Sequence, residues 1–170
     1  MLRIFNDLSP FFNDNYQRIH VREYARVMEI SPPTASKRLS HLNKQGLLNK
    51  EEERNIIYYH ANKESKDFID LSRIYWRQQL KKAELIKYLN KELINPLVIL
   101  FGSFSKAEVK HDSDIDLAVF THSSKKLNLT DFEKRLGRSI QLFTFKSRDD
   151  VNNKELLNNL LNGYIITGNW

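Results

Sequence analysis

Two aspartates separated by a single residue are the most chemically informative feature of the sequence. Asp114 and Asp116 lead into an apolar run, Ile115 to Phe120. Alternate residues of a strand point to the same side, so the two carboxylates are predicted to stand side by side on one face. Adjacent carboxylates repel each other unless a cation lies between them. Mg²⁺, a hard ion that prefers oxygen ligands, fits such a pair.

A small-residue turn precedes the aspartates and offers a place for phosphates. Five apolar residues, Leu97 to Phe101, predict a buried strand that Gly102 and Ser103 interrupt. Such a turn lets backbone N–H groups, the Ser103 hydroxyl and the start of a following helix approach a phosphate. Protein-bound Mg²⁺ usually keeps waters and substrate phosphates in its shell, so the combination predicts metal-assisted phosphoryl or nucleotidyl chemistry.

The spacing of these residues resembles a family signature. Gly102-Ser103, then residues 104–113, then Asp114-Ile115-Asp116 resembles the G-S-x10-D-x-D motif of minimal nucleotidyltransferases, in the DNA polymerase β-like superfamily. A bare D-x-D is more often a solvated turn or strand end, whereas the combined pattern with flanking apolar strands is more specific. The resemblance covers about residues 96–169 and ends on the sequence Gly-Tyr-Ile-Ile-Thr-Gly.

The resemblance implies an activity and a set of ligands. Gly102 and Ser103 would hold the phosphates of ATP, and Asp114 and Asp116 would bind Mg²⁺ or Mn²⁺ as the catalytic pair. AMP would pass to a hydroxyl on a small molecule or on a protein such as a HEPN-type partner. Lys106 stands where the family often has a phosphate-binding arginine, and a solvated lysine is an equal alternative there.

One family position carries the wrong chemistry for catalysis. The third carboxylate expected on the next strand falls on Gln141, and an amide cannot accept a proton as a base. Three explanations remain open: the alignment is shifted, another carboxylate such as Glu108 or Asp112 serves, or the site binds nucleotide without transferring it. His111 and His122 flank the motif and are expected at the surface.

Composition limits the class of protein. The chain of 170 residues is 41% hydrophobic and 28% charged and has no cysteine, which describes a globular protein without disulfides, one domain or two small ones. No apolar run is long enough to span a bilayer, so a cytoplasmic location without a membrane partner is expected. The net charge of +6 weakly favours a polyanionic partner.

Helical and strand patterns divide the first sixty residues into four elements. Leu2, Phe5 and Leu8 predict a short helix before Pro10, and Val21 to Ile30 predict a second. A third helix is predicted to be capped by Thr34. A hairpin follows over residues 49–62, with a polar tip at residues 51–55.

This order of elements resembles the winged helix-turn-helix of MarR- and ArsR-type regulators, which implies binding to double-stranded DNA. Residues 34–50 contain no acidic side chain. The candidate DNA-binding residues are the hydroxyls and cations of the third helix: Thr34, Ser36, Lys37, Arg38, His41 and Lys44. An alternative is that these side chains are only the solvent-exposed face of an amphipathic helix. Winged helices also bind proteins, and the glutamates at residues 51–53 would repel DNA phosphates.

The remaining chain completes an α+β prediction. Residues 66–94 predict one long connecting helix, with Ile74, Tyr75 and Trp76 either in a homodimer contact or packed within the chain. After the motif, a helix from Thr130 or Asp131 is predicted. A strand over 137–145, a helix over 149–161 and a closing strand over 163–168 follow. The predicted domains are a winged helix (1–65), the connecting helix (66–94) and a transferase domain with a mixed sheet and flanking helices (95–170).

Two functions fit the predicted pair of domains: an enzyme and a transcriptional regulator. The first is a metal-dependent nucleotidyltransferase coupled to a DNA-binding winged helix. The second is a DNA-binding transcriptional regulator whose degenerate transferase domain only senses nucleotide. A module that binds only proteins is a third reading, and it predicts neither nucleotide nor DNA binding.

Overall fold

The computed structural model describes residues 3–170, so the predicted contribution of Leu2 to the first helix lies outside the described residues. The chain forms two compact units. The first comprises residues up to 72 together with 107–111, and the second comprises 73–106 together with 112–170. The segment 107–111, between the Gly-Ser turn and the two aspartates, therefore folds with the first unit.

The first unit contains three helices and a small sheet before a fourth helix begins. In chain order these are α1 (Arg3–Asn13), β1 (Ile19–His20), α2 (Val21–Val27), α3 (Pro32–Lys44), β2 (Leu48–Glu53) and β3 (Ile56–Ala61), and α4 then starts at Lys66. The strands pair antiparallel in the order β1-β3-β2. Helices α2 and α3 and the hairpin follow in the predicted order, although α2 ends at Val27 and not at Ile30, and the sequence does not predict β1.

Helix α1 continues through Pro10 instead of ending before it. Pro10 has no N–H to donate to the carbonyl of Asn6, four residues earlier. The Ser9 hydroxyl donates to that carbonyl over 2.8 Å instead. Phe11 and Phe12 follow inside the helix and are fully buried, and burial of these two rings holds the last turn in place.

The start of α3 and the tip of the hairpin also differ from prediction. Ser31, not Thr34, caps α3, and its side chain accepts from the Thr34 N–H over 3.4 Å. Proline at the first helical positions loses no intrahelical hydrogen bond, so Pro32 begins the helix. The hairpin turns at Arg54 and Asn55, which have φ of 50° and 63°, so the glutamates at 51–53 lie in β2.

The second unit is built on a four-stranded mixed sheet. After α4 (Lys66–Lys82), which it shares with the first unit, it contains α5 (Leu85–Leu93), β4 (Leu97–Phe101), α6 (Ser103–Lys106), β5 (Ile115–Phe120), α7 (Thr130–Leu136), β6 (Ile140–Phe145), α8 (Lys154–Leu161) and β7 (Tyr164–Thr167). The strand order is β6-β5-β4-β7, with β5 and β6 parallel and the other pairs antiparallel. The mixed sheet with flanking helices is confirmed.

Both faces of the central strands are buried except at the half-buried Asp116, which explains why all their other residues are apolar. All five residues of β4 are buried. One face packs Ile99, Phe101 and Leu160 in a cluster that Leu156 and Leu157 of α8 help to cover. The motif strands are therefore held from both sides, and the residues at their ends are fixed by the sheet.

The predicted single helix over 66–94 is two helices. Helix α4 stops at Lys82, and Glu84 adopts a left-handed conformation with φ of 65° before α5 starts. The buried positions Ala83 and Leu85 are only two residues apart, which one helix face cannot satisfy. Tyr75 and Trp76 pack within the chain, with the Trp76 ring 4.6 Å from that of Phe104, whereas Ile74 is exposed. The homodimer stays a prediction.

Candidate active site

The two aspartates lie where β5 begins. Asp114 directly precedes the strand and Asp116 is its second residue, paired with Phe101 of β4 on one side. Ile115 and Leu117 point into the core and are almost fully buried, while both aspartates are half-buried. The alternation of β5 thus presents the two carboxylates together on the face opposite to Ile115, as the sequence predicted.

Gly102 lies against the carboxylate of Asp116. It has φ of 65°, and a Cβ at this position would come within 2.3 Å of Asp116 Oδ2. Only glycine combines that backbone conformation with that close approach. The turn then enters α6, in which the Ser105 hydroxyl donates to the Gly102 carbonyl over 3.0 Å. The Gly-Ser turn and the aspartates predicted to act together are brought together by the fold.

The electrostatics of the pair favour a bound cation. Burial, and after it the charge of Asp114, raise the pKa of Asp116 above its usual range. Both effects reflect the free-energy cost of two negative charges at this half-buried position. A divalent cation between the carboxylates would remove that cost, so the donor set of Asp114 and Asp116 fits Mg²⁺ or Mn²⁺.

Gln141 occupies the position next to the pair. The parallel pairing of β5 with β6 sets Gln141 opposite Asp116, and its Nε2 donates to Asp114 Oδ2 over 2.7 Å. Among residues 3–170, no group of three or more histidine, cysteine, aspartate or glutamate side chains is arranged to hold a metal. Within that range, neither Glu108 nor Asp112 joins the pair as a third carboxylate, and both side chains are exposed.

Two arginines that no sequence motif points to hold the backbone around the site. Arg138 donates to the carbonyl of Ser113, the residue before Asp114, over 3.2 Å. Arg73 donates through Nε to the carbonyl of Ser105 over 2.7 Å. Neither arginine belongs to a local motif, and each lies 25 or more residues from the residue that it holds. Sequence spacing alone therefore carries no signal for them.

Lys106 points to a neighbour on α8. Its ammonium group lies 3.3 Å from Oδ1 of Asn159 and is exposed. An exposed lysine on a flexible stem can leave such a weak contact, so its predicted role toward phosphate stays a prediction. His111 and His122 are both exposed, as expected.

Comparison with protein families identifies the second unit. Residues 83–168 match the family model described as polymerase beta, nucleotidyltransferase. The chain belongs to this family. The match includes the Gly-Ser turn, both aspartates and Gln141, and domains of this family generally use divalent metals and nucleoside triphosphates. Searches of curated proteins and of solved structures returned no match for this chain.

The candidate DNA-binding residues of α3 fall into two groups. Ser36, Lys37, His41 and Lys44 are exposed, and Thr34 is half-buried with its hydroxyl 2.9 Å from that of Ser31. Arg38 differs, because its guanidinium donates over 2.8 Å to Asp7, a residue whose side chain is only 11% exposed. That arginine joins α3 to α1 within the first unit.

The acidic strand of the hairpin is partly neutralised. Arg18 lies 3.3 Å from Glu51 and 2.9 Å from Glu53, and its guanidinium also stacks over the ring of Tyr58 at 4.7 Å. Glu52 points to the other side of β2.

Between residues 3 and 170, no helix is both long and apolar enough to cross a membrane.

Proposed function

We propose that this protein is a metal-dependent nucleotidyltransferase that moves AMP from ATP to a hydroxyl group on a protein or small molecule. The observation that carries the proposal is the pairing of Asp114 and Asp116 directly beside the Gly102 turn, within a chain that belongs to the nucleotidyltransferase family. Phosphates and a divalent cation are the two ligands that this combination of turn and carboxylates can hold at once.

Each residue has a distinct part in the proposed mechanism. The backbone of Gly102 and Ser103 binds the phosphates, because the missing Cβ leaves room beside Asp116. Asp114 and Asp116 would hold Mg²⁺, and the ion would supply positive charge to stabilise the α-phosphate and the leaving pyrophosphate. Arg138 and Arg73 fix the backbone on either side, so the carboxylates keep their places as ligands bind.

Calorimetric titration of ATP with and without Mg²⁺ tests the site without knowledge of the acceptor. Wild-type protein should bind ATP only with Mg²⁺, and Asp114→Asn/Asp116→Asn should lose that binding while it keeps its fold. A matched control is Asp131→Asn/Asp149→Asn, which removes two exposed carboxylates elsewhere on the second unit. Equal Mg²⁺-dependent binding by wild type and by the active-site variant would refute the proposed site.

A second candidate function is favoured by Gln141. Its amide takes the place of a carboxylate and donates to Asp114, so the chain offers no base there for the attacking hydroxyl. A protein with this site could bind metal and nucleotide without transferring AMP. In that case it would be a DNA-binding regulator whose transferase domain senses nucleotide.

Either function is proposed to be coupled to DNA through a winged helix-turn-helix in the first unit. The support is the order of its elements, with exposed Lys37, His41 and Lys44 on α3 and a hairpin after it. Cations at these positions would contact phosphates, and Ser36 near the start of the helix would reach base edges. A HEPN-type protein is one example of the proposed protein acceptors beside small molecules, and a cytoplasmic location remains an expectation.

A further inference from the structure

A groove on the second unit combines isoleucines with cations and lies outside the catalytic site. It encloses about 700 Å³ and is lined by residues of α4, α5 and the edge strand β7. The six residues that define it are termed the isoleucine groove: Ile74, Ile86, Ile166, Arg77, Lys81 and Lys87. Ile166 is 2% exposed and forms part of the floor, whereas Ile74 is 39% exposed.

Arg77 and Lys81 of the groove can each accept a negatively charged partner. Ile74, Arg77 and Lys81 follow one another at helical spacing and share one face of α4. In the part of the chain that the structure describes, neither Arg77 nor Lys81 forms an ion pair. Lys87 lies 3.7 Å from Glu84, the one carboxylate among the lining residues. Two cations four residues apart on one helix repel each other, and an incoming carboxylate would relieve that repulsion.

The same features argue against a second copy of this chain as the occupant. A two-fold interface across the groove would bring Arg77 and Lys81 of both copies together, and like charges across an interface are costly. Strand β7 also pairs irregularly with β4, since its register shifts between Val98 and Ile99 and leaves Ile166 unpaired. A bulged edge is a poor template for the addition of another strand.

Nucleic acid is also a poor match for this lining. The three isoleucines offer no hydrogen bond to a phosphate or to a base edge, and Glu84 would repel the backbone. We propose that the isoleucine groove binds an acidic segment of a partner protein. Apolar side chains of that segment contact the exposed Ile74 and the half-buried Ile86, and its carboxylates pair with Arg77 and Lys81.

A peptide selection tests this surface without a known partner. Random 12-residue peptides displayed on phage are selected against the full chain, and one enriched peptide is synthesised and titrated by fluorescence anisotropy. The expected peptides combine glutamate or aspartate with leucine, isoleucine, valine or phenylalanine. Arg77→Glu/Lys81→Glu should weaken binding by about tenfold or more because attraction becomes repulsion. Ile74→Asp should also weaken it.

The control carries the same change of charge elsewhere on the second unit. Lys126→Glu/Lys134→Glu replaces two exposed lysines outside the groove and should leave peptide affinity unchanged. Circular dichroism and Tm check that every variant is folded. The proposal is overturned if enriched peptides lack an acidic excess, or if Arg77→Glu/Lys81→Glu binds them as tightly as the control. It is also overturned if these substitutions abolish duplex DNA binding or self-association instead.

Discussion

Gln141 donates a hydrogen bond to Asp114 across the two parallel strands β5 and β6, with 2.7 Å between Nε2 and Oδ2. The bond ties one proposed metal ligand to a neutral side chain, while Asp116, in register with Gln141, faces the Gly102 turn. Residue 141 therefore decides whether two or three carboxylates lie at this edge of the sheet. Replacement of Gln141 by glutamate would add one negative charge there with almost no change in side-chain size.

Gln141→Glu is expected to raise Mg²⁺ affinity in the presence of ATP by about tenfold, because a third carboxylate would face the pair. Gln141→Leu, of similar size but without the hydrogen bond, should not raise it. Calorimetric titration of Mg²⁺ into the protein–ATP mixture measures both changes. Unchanged affinity in Gln141→Glu would show that residue 141 does not reach the metal.

The same variant separates the two candidate functions. Transfer of label from α-labelled ATP by wild-type protein supports the transferase, and Asp114→Asn/Asp116→Asn should abolish that transfer. Labelling by Gln141→Glu alone, in a lysate that supplies acceptors, supports a regulator that lost its base at this position. Transfer that survives Asp114→Asn/Asp116→Asn would contradict the mechanism.

Gly102→Ala should abolish Mg²⁺-dependent ATP binding, because the new Cβ would meet Asp116 Oδ2 at 2.3 Å and displace that carboxylate. Gly137→Ala is the matched control, since Gly137 has φ of 64° and no neighbouring atom within 4 Å of an added Cβ. Left-handed backbone alone costs about 1–2 kcal/mol in either variant, measured by urea unfolding. Retained binding in Gly102→Ala, or lost binding in a folded Gly137→Ala, would contradict the assignment.

Asp116→Asn should raise the Tm at pH 7 without Mg²⁺. Burial and the charge of Asp114 raise the pKa of Asp116, so the folded protein keeps this proton to a higher pH than the unfolded chain does. The associated stability is present below the unfolded pKa, near 3.8, and is lost as pH rises through the folded pKa. The asparagine avoids that loss, so its advantage should shrink toward pH 3. Asp112→Asn, an exposed carboxylate outside the pair, should behave like wild type in thermal melts.

Two kinds of substitution on α3 should have opposite effects. Lys37→Ala/Lys44→Ala should leave stability unchanged and reduce the slope of log affinity against log salt by about two on a mixed-sequence DNA duplex. Arg38→Ala should instead lower the free energy of unfolding by about 1–3 kcal/mol, because it removes a hydrogen-bonded partner from Asp7. Urea unfolding and salt-dependent anisotropy measure the two effects. A salt slope unchanged by the double substitution would remove DNA contact from these lysines.

The strands and the paired carboxylates could be predicted because their signals are local. Apart from Asp116, strands β4 and β5 consist of apolar residues and their bounds agree with prediction, and the D-x-D spacing places both carboxylates on one face. The Gln141–Asp114 bond could not be predicted, since it joins two residues 27 positions apart and depends on how β5 and β6 pair in register. For the same reason the sequence predicts Arg38 only as a DNA-binding or solvent-exposed residue, although it pairs with Asp7, 31 residues away.

The sequence patterns do not predict the break between α4 and α5, although a weak signal for it is present. No glycine or proline occurs over residues 66–94, so the usual marks of a helix end are lacking. The apolar side chains of Leu80, Ala83, Leu85 and Leu89 step by three, two and four residues. The step of two changes the buried face, and Glu84 absorbs that change with a positive φ.

A fragment that holds the family domain as one continuous stretch of chain would lose residues that cover part of it. Asn15 donates from its backbone to the Val109 carbonyl over 2.8 Å, and its side-chain oxygen accepts from the Val109 N–H over 2.6 Å. Ala107 and Val109 are both fully buried in the first unit. A fragment that begins at residue 73 would retain 107–111 but lose Asn15, so those apolar residues would be left uncovered in a truncated protein. Biochemical study of the aspartate pair therefore requires the whole chain.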